Sequence, residues 1–240
     1  MKWLVFLLML APSIGVAACS QALVLGLDVS GSVDPREYQL QREGLATALM
    51  SPAVVQVLLA PDRAPVDVAV FEWSGPYHQV LIQPWTTIDG EAALNAVAQN
   101  LRSRPRIKGS PTTAIGAAMR YGAALLDQRH TCWKRTLDIS GDGQANTGPR
   151  PQDVVLPDFT VNALVIGAAQ RLSRDERAAD IKELSSYFDA YVIRGAGAFV
   201  EVAIGFEDYA TAMERKLLRE LQSLALSDAS ENPPTTRVLQ

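Results

Sequence analysis

Short apolar runs bounded by turn residues alternate with longer amphipathic segments along nearly the whole chain, and this alternation constrains the fold more than any single residue does. A continuous apolar run of about four to eight residues reads as a buried strand, whereas apolar positions three and four apart read as one face of a helix. Residues 22–27, Ala-Leu-Val-Leu-Gly-Leu, form a first strand; 66–73 and 79–85 form a hairpin through Ser74-Gly75-Pro76. Residues 135–139, 160–166 and 191–193 supply three more strands. Asp34-Pro35-Arg36-Glu37 combines a capping aspartate, a proline at the first helical position and an acidic first turn, and opens a helix to about Met50, followed by a further amphipathic piece from Val54 to Leu59. Asp89 caps a helix with Leu94, Val97, Ala98 and Leu101 on one face. Residues 113–126 place Ile115, Ala118, Met119, Gly122, Leu125 and Leu126 at helical spacing, and 173–188 form another helix. A final helix starts near Glu207 and buries Tyr209, Met213, Leu217, Leu221 and Leu224. Strands alternating with helices of this length predict a three-layer α/β/α sandwich, with a mostly parallel, doubly wound sheet covered on both faces.

In such sheets ligands bind beyond the carboxyl ends of the strands, where strand order reverses. If the strands that carry them flank that point, three distant fragments converge there. Asp28-Val29-Ser30-Gly31-Ser32 follows the first strand, Thr113 stands at the head of a helix, and Asp142 lies in the Ser-Gly-Asp-Gly that follows the strand ending at Ile139. Two carboxylates and three hydroxyls are hard oxygen ligands, suited to Mg²⁺, Mn²⁺ or Ca²⁺ and not to zinc. Taken singly, each residue has an ordinary explanation: strand-end turn former, loop residue, helix cap. Taken in this order, they form one candidate metal site of Asp28, Ser30, Ser32, Thr113 and Asp142.

The chain has 240 residues, 48% of them hydrophobic, which suits one domain with a sizeable core. Lys+Arg 22 against Asp+Glu 26 gives a net charge of −4, and without a dense basic cluster nucleic acid is not expected as a partner. Residues 1–18 have a positive start, an apolar core from Trp3 to Leu10 and a small-residue exit at Gly15-Val16-Ala17-Ala18, the pattern of a secretory signal peptide. No other stretch is long and apolar enough to span a bilayer. The domain is expected over 19–226, with a polar, disordered tail over 227–240. The mature protein is therefore expected in the periplasm or outside the cell.

Cys19 and Cys132 are the two cysteines. Val16-Ala17-Ala18-Cys19 resembles a bacterial lipobox, which makes acylation of Cys19 and membrane anchoring one reading. The other is geometric. Cys19 precedes Asp28 by nine residues and Cys132 precedes Asp142 by ten. If those aspartates end adjacent parallel strands, both cysteines lie at the opposite end of the sheet, close enough for a disulfide.

Asp28-Val29-Ser30-Gly31-Ser32 resembles the Asp-x-Ser-x-Ser signature of von Willebrand factor A domains. Thr113-Ala114-Ile115-Gly116 is similar to that family's second motif and Ile139-Ser140-Gly141-Asp142-Gly143 to its third, with Gly141 where the family usually has threonine. The resemblance covers essentially the whole mature chain and implies a metal-ion-dependent adhesion site. By that resemblance Ser30 and Ser32 bind the cation directly and Thr113 directly or through water. Asp28 and Asp142 act through waters or hydrogen bonds to the serines. A cation so weakly neutralised recruits a glutamate or aspartate of a protein partner, so the resemblance implies binding without catalysis. Two alternatives stand beside it. One is the same fold with a vestigial metal site. The other is a haloacid dehalogenase-type phosphatase, for which Ser30 occupies the place of the general-acid carboxylate. Glu72, Trp73, Ser74 and His78, around the hairpin turn, read either as part of a recognition rim or as packing and solvated side chains.

Overall fold

The computed structural model describes residues 19–167 and 174–231. The signal peptide expected over 1–18, the Ser173 start of a helix and residues 232–240 of the expected tail lie outside them, as does the side chain of Leu224. Strands β1 (Gln21–Asp28), β2 (Val66–Trp73), β3 (Gln79–Ile88), β4 (Lys134–Gly141), β5 (Thr160–Ile166) and β6 (Val200–Ala203) form one sheet in the order β3-β2-β1-β4-β5-β6. Only the β2/β3 pair is antiparallel. The helices are α1 (Pro35–Leu49), α2 (Pro52–Leu58), α3 (Glu91–Ser103), α4 (Ile115–Leu126), α5 (Arg174–Tyr191) and α6 (Tyr209–Glu231).

Side-chain alternation along β1 explains the three layers. Leu23, Leu25 and Leu27 enter a core with α1, α2, α3 and α6, whereas Ala22 and Val24 enter a second core with α4 and α5. Burying both faces turns the central strands into nearly unbroken apolar runs, which is how the sequence marks them. Helix α1 begins as its residues dictate. Asp34 accepts from the backbone N–H of Arg36 and Glu37, and the Glu37 carboxylate accepts from the Asp34 N–H, closing a capping box with Pro35 in the first turn.

Four local features differ from the sequence reading. Residues 191–193 are not a strand: Tyr191 ends α5, and the N–H groups of Val192 and Ile193 both donate to the Phe188 carbonyl. The sixth strand is the four-residue β6, whose Val-Glu-Val-Ala is too short to show a period. Helix α4 starts at Ile115, not at Thr113, because Thr113 is held in the preceding loop. Helix α6 continues to Glu231, past Ser227, where the polar tail was expected to start.

Cys19 and Cys132 form a disulfide at the amino ends of β1 and β4. A sulfur committed to a disulfide carries no lipid, so the acylation reading of Cys19 gives way to the geometric one. Asp67 lies beside this bridge. Disulfide sulfurs are not thiolate ligands, and Asp67 is already engaged by Thr87 and Arg129, so the cluster is structural. Among the described residues no helix is long and apolar enough to cross a membrane.

Candidate metal centre

The strand order reverses between β1 and β4: from β1 the chain winds out through β2 and β3, and from β4 it winds the other way through β5 and β6. Asp28 is the last residue of β1, and Asp142 immediately follows β4. Both carboxylates therefore stand at the crevice that such a reversal opens.

Asp28 is fully buried. Its Oδ1 accepts the Ser30 N–H at 2.8 Å, which turns the chain out of the strand and aims the serine loop across the sheet end. The Asp28 carbonyl accepts from Gln41 Nε2 of α1 at 2.8 Å, and the next amide, Val29, donates to the Trp73 carbonyl. Ser30 is buried, with Oγ 3.2 Å from Oγ of the exposed Ser32. The Ser32 hydroxyl donates to Asp142 Oδ1 at 2.7 Å. Asp28, Ser30, Ser32 and Asp142 thus form one continuous hydrogen-bonded chain from β1 to β4.

Thr113 is buried nearby but is not a link in that chain. Its N–H donates to Asn146 Oδ1 at 2.9 Å, and its carbonyl accepts the Asn146 N–H at 3.0 Å. This two-way clamp ties the segment before α4 to the loop after β4. The same segment reaches the serine loop where the Gly31 N–H donates to the Pro111 carbonyl. Sequence reasoning passed over Asn146 as a clamp, although an asparagine in a glycine- and proline-rich loop is the residue type that bonds backbone in this way. Ser74, read from the sequence as a turn residue and candidate rim member, is buried instead: its Oγ accepts the Ser110 N–H and its carbonyl accepts the Ala114 N–H. Glu72 and Trp73 are both buried, so the glutamate is neither rim nor solvated: Oε1 accepts the Tyr38 hydroxyl at 2.6 Å.

The electrostatics of the hydrogen-bonded chain are unfavourable for its own carboxylates. Burial, then the neighbouring charge of Asp142, pushes Asp28 up to about 8, against the partial relief of hydrogen bonds from Ser30 and from the Asp142 backbone N–H. Burial also raises Asp142, relieved in part by the Ser32 hydroxyl. Asp28 Oδ2 is buried without a hydrogen-bond partner. Gly141 explains why: a Cβ there would lie 3.4 Å from that oxygen, so a side-chain donor at this position is what the glycine removes. A buried, partnerless carboxylate oxygen beside a second carboxylate and two hydroxyls fits a divalent cation, whose charge would offset both costs at once.

Residues 18–225 match a family model described as a protein of unknown function, DUF1194. The chain belongs to that family. Among curated proteins none matches this DUF1194 chain by sequence. Its fold is that of von Willebrand factor A domains. It is similar to a von Willebrand factor type A protein from Catenulispora acidiphila at 13% identity and a TM-score of 0.55, over 85% of this chain and 43% of that one. It is also similar to proximal thread matrix protein 1 from the mussel byssus, solved with a zinc-occupied metal-ion-dependent adhesion motif, at 16% identity and a TM-score of 0.53, over 85% and 48%. An aerotolerance-related membrane protein from Bacteroides fragilis matches at 15% identity and a TM-score of 0.51, over 82% of this chain and 98% of that one. The DUF1194 chain thus spans less than half the length of the first two.

Proposed function

We propose that this DUF1194 chain is an exported binding domain that holds a divalent cation at Asp28, Ser30, Ser32, Thr113 and Asp142 and uses it to capture an acidic side chain of a protein partner. The observation that carries this reading is the partnerless Asp28 Oδ2, buried where two carboxylates and two serine hydroxyls meet. Ser30 and Ser32 would hold the ion directly, and Thr113 directly or through water. Asp28 and Asp142 would orient the serines and balance charge. The ion supplies an electrophilic coordination position for a carboxylate from outside. Oxygen donors favour Mg²⁺, with Mn²⁺ or Ca²⁺ as close substitutes. The adhesion motif solved with zinc in the mussel protein supports a divalent ion at this place in the fold. The signal-peptide pattern and the Cys19–Cys132 disulfide support export to an oxidising compartment. No step of this role uses catalysis.

Thermal unfolding of the mature chain with increasing Mg²⁺ or Mn²⁺ tests the reading. Wild type should gain stability with the logarithm of ion concentration, and Asp142→Ala should not. Equal responses, or none in either, would leave the fold with a vestigial site.

A further inference from the structure

The serine loop has a second neighbour that the metal centre does not use. Residues 102–108 carry Arg102, Arg104, Arg106 and Lys108, while residues 92–126 contain no acidic residue at all. Arg102 lies in the last turn of α3 and the other three in the loop that follows it, so these charges are concentrated in one short stretch of a protein whose net charge is −4. The fold lays this loop alongside residues 29–35 and leaves between them a groove of about 640 Å³, lined by Ser30, Gly31, Val33, Asp34, Arg106 and Lys108 among others, with the Asp34 carboxylate committed to the start of α1. Ser30 and Gly31 therefore belong both to the metal centre and to the groove.

The groove is built rather than incidental. Arg106 donates through Nη2 to the Val33 carbonyl and sits with its guanidinium 5.3 Å from the Tyr38 ring centroid. Arg42 stacks on the same ring at 4.6 Å, and the Tyr38 hydroxyl is anchored on buried Glu72. The ring is thus fixed and holds Arg106 toward the serine loop. Lys108 is exposed. Among the described residues, none of Arg102, Arg104, Arg106 and Lys108 lies within ion-pair distance of a carboxylate.

We propose that this groove is the second anchor for the protein segment captured at the metal: the partner presents two carboxylates close together in sequence, one to the ion at Ser30 and Ser32, the other to Arg106 and Lys108. The proposal rests on the metal-dependent reading given above. A short acidic segment fits better than a long polyanion, because four cations in a molecule of net charge −4 do not form an extended positive track.

The test measures fluorescence anisotropy of two labelled Gly/Ser octapeptides, one with a single glutamate and one with two glutamates three residues apart, added to the full mature chain. With Mg²⁺ and low salt, the two-glutamate peptide should bind roughly fivefold tighter, the size expected for one or two exposed charge pairs, and the gain should shrink as salt rises. Arg106→Gln/Lys108→Gln should erase the gain. Lys108→Glu alone, at an exposed position without a folding role, should reverse it. Mn²⁺ affinity, followed separately, should be the same in all three proteins. Equal binding of both peptides by wild type, a gain that survives in the variants, no binding of either peptide, or a preference for a single-stranded oligonucleotide or anionic vesicles would overturn the groove. If the two-glutamate gain persists in chelator, the groove stands and the metal-dependent reading fails. If binding needs Mg²⁺ but shows no gain, the reverse holds.

Discussion

Two acidic pairs, one buried in the interior and one at a rim where Asp28 is buried and Asp142 half-buried, lie along the β4 side of the sheet, and they are treated oppositely. In the interior, Asp138 on β4 and Glu220 on α6 share Lys216, whose Nζ lies 2.8 Å from Asp138 Oδ2 and 2.6 Å from Glu220 Oε1. Asn162 completes that cluster by donating to Glu220 Oε1 and accepting the Phe199 N–H. At the rim, Asp28 and Asp142 share two serine hydroxyls and have no lysine or arginine within ion-pair distance among the described residues. The fold therefore supplies its own cation where a pair serves packing and omits one where the pair faces the crevice. An omitted cation is what the proposed ion from solution would replace.

The largest expected effect breaks the interior half of the comparison. Lys216→Met would remove the cation that Asp138 and Glu220 share, and urea unfolding should show a loss of about 3–5 kcal/mol. A loss under about 1 kcal/mol would mean that the lysine is not what holds this pair. Next comes Asp28→Asn in chelator. Because the folded carboxyl is held up to about 8 while the unfolded one is ordinary, folding takes up a proton between those values, and wild-type stability falls as pH rises from about 4 towards 8. The amide has no such cost, so the variant should equal wild type near pH 4 and exceed it by a margin that grows towards pH 8, as read by urea unfolding. The smallest effect sharpens the contrast. Burial pushes Asp138 up to about 7 in spite of Lys216, so its contribution is likewise complete below about 4 and lost as pH approaches 7. Asp138→Asn keeps the Lys216–Glu220 contact and should flatten that interval, with a change of about 1 kcal/mol or less at pH 7 in the same assay.

The central architecture was legible because burial on both faces writes itself into strands such as Ala22-Leu-Val-Leu-Gly-Leu, and because Asp34-Pro35 and Glu37 encode a helix start locally. The meeting of Asp28, Ser30, Ser32 and Asp142 was legible for a related reason: strand-end position fixes where a side chain lands once strand order is known. β6 was not, since four residues with a glutamate among them show no period and take their conformation from pairing with β5. Nor was the clamp on Thr113, which depends on a loop asparagine 33 residues away. The interior lysine pair was invisible for the opposite reason: Asp138, Lys216 and Glu220 look like ordinary surface charges until the sheet and α6 are assembled around them.

Calorimetric titration of Mn²⁺ into chelator-treated mature protein addresses the rim most directly. One ion should bind per chain, and Ser30→Ala/Ser32→Ala should abolish that binding while its unfolding curve in chelator stays close to wild type. Absence of binding by wild type, or the same affinity in the double variant, would contradict the claim that these serines and aspartates take their missing cation from solution.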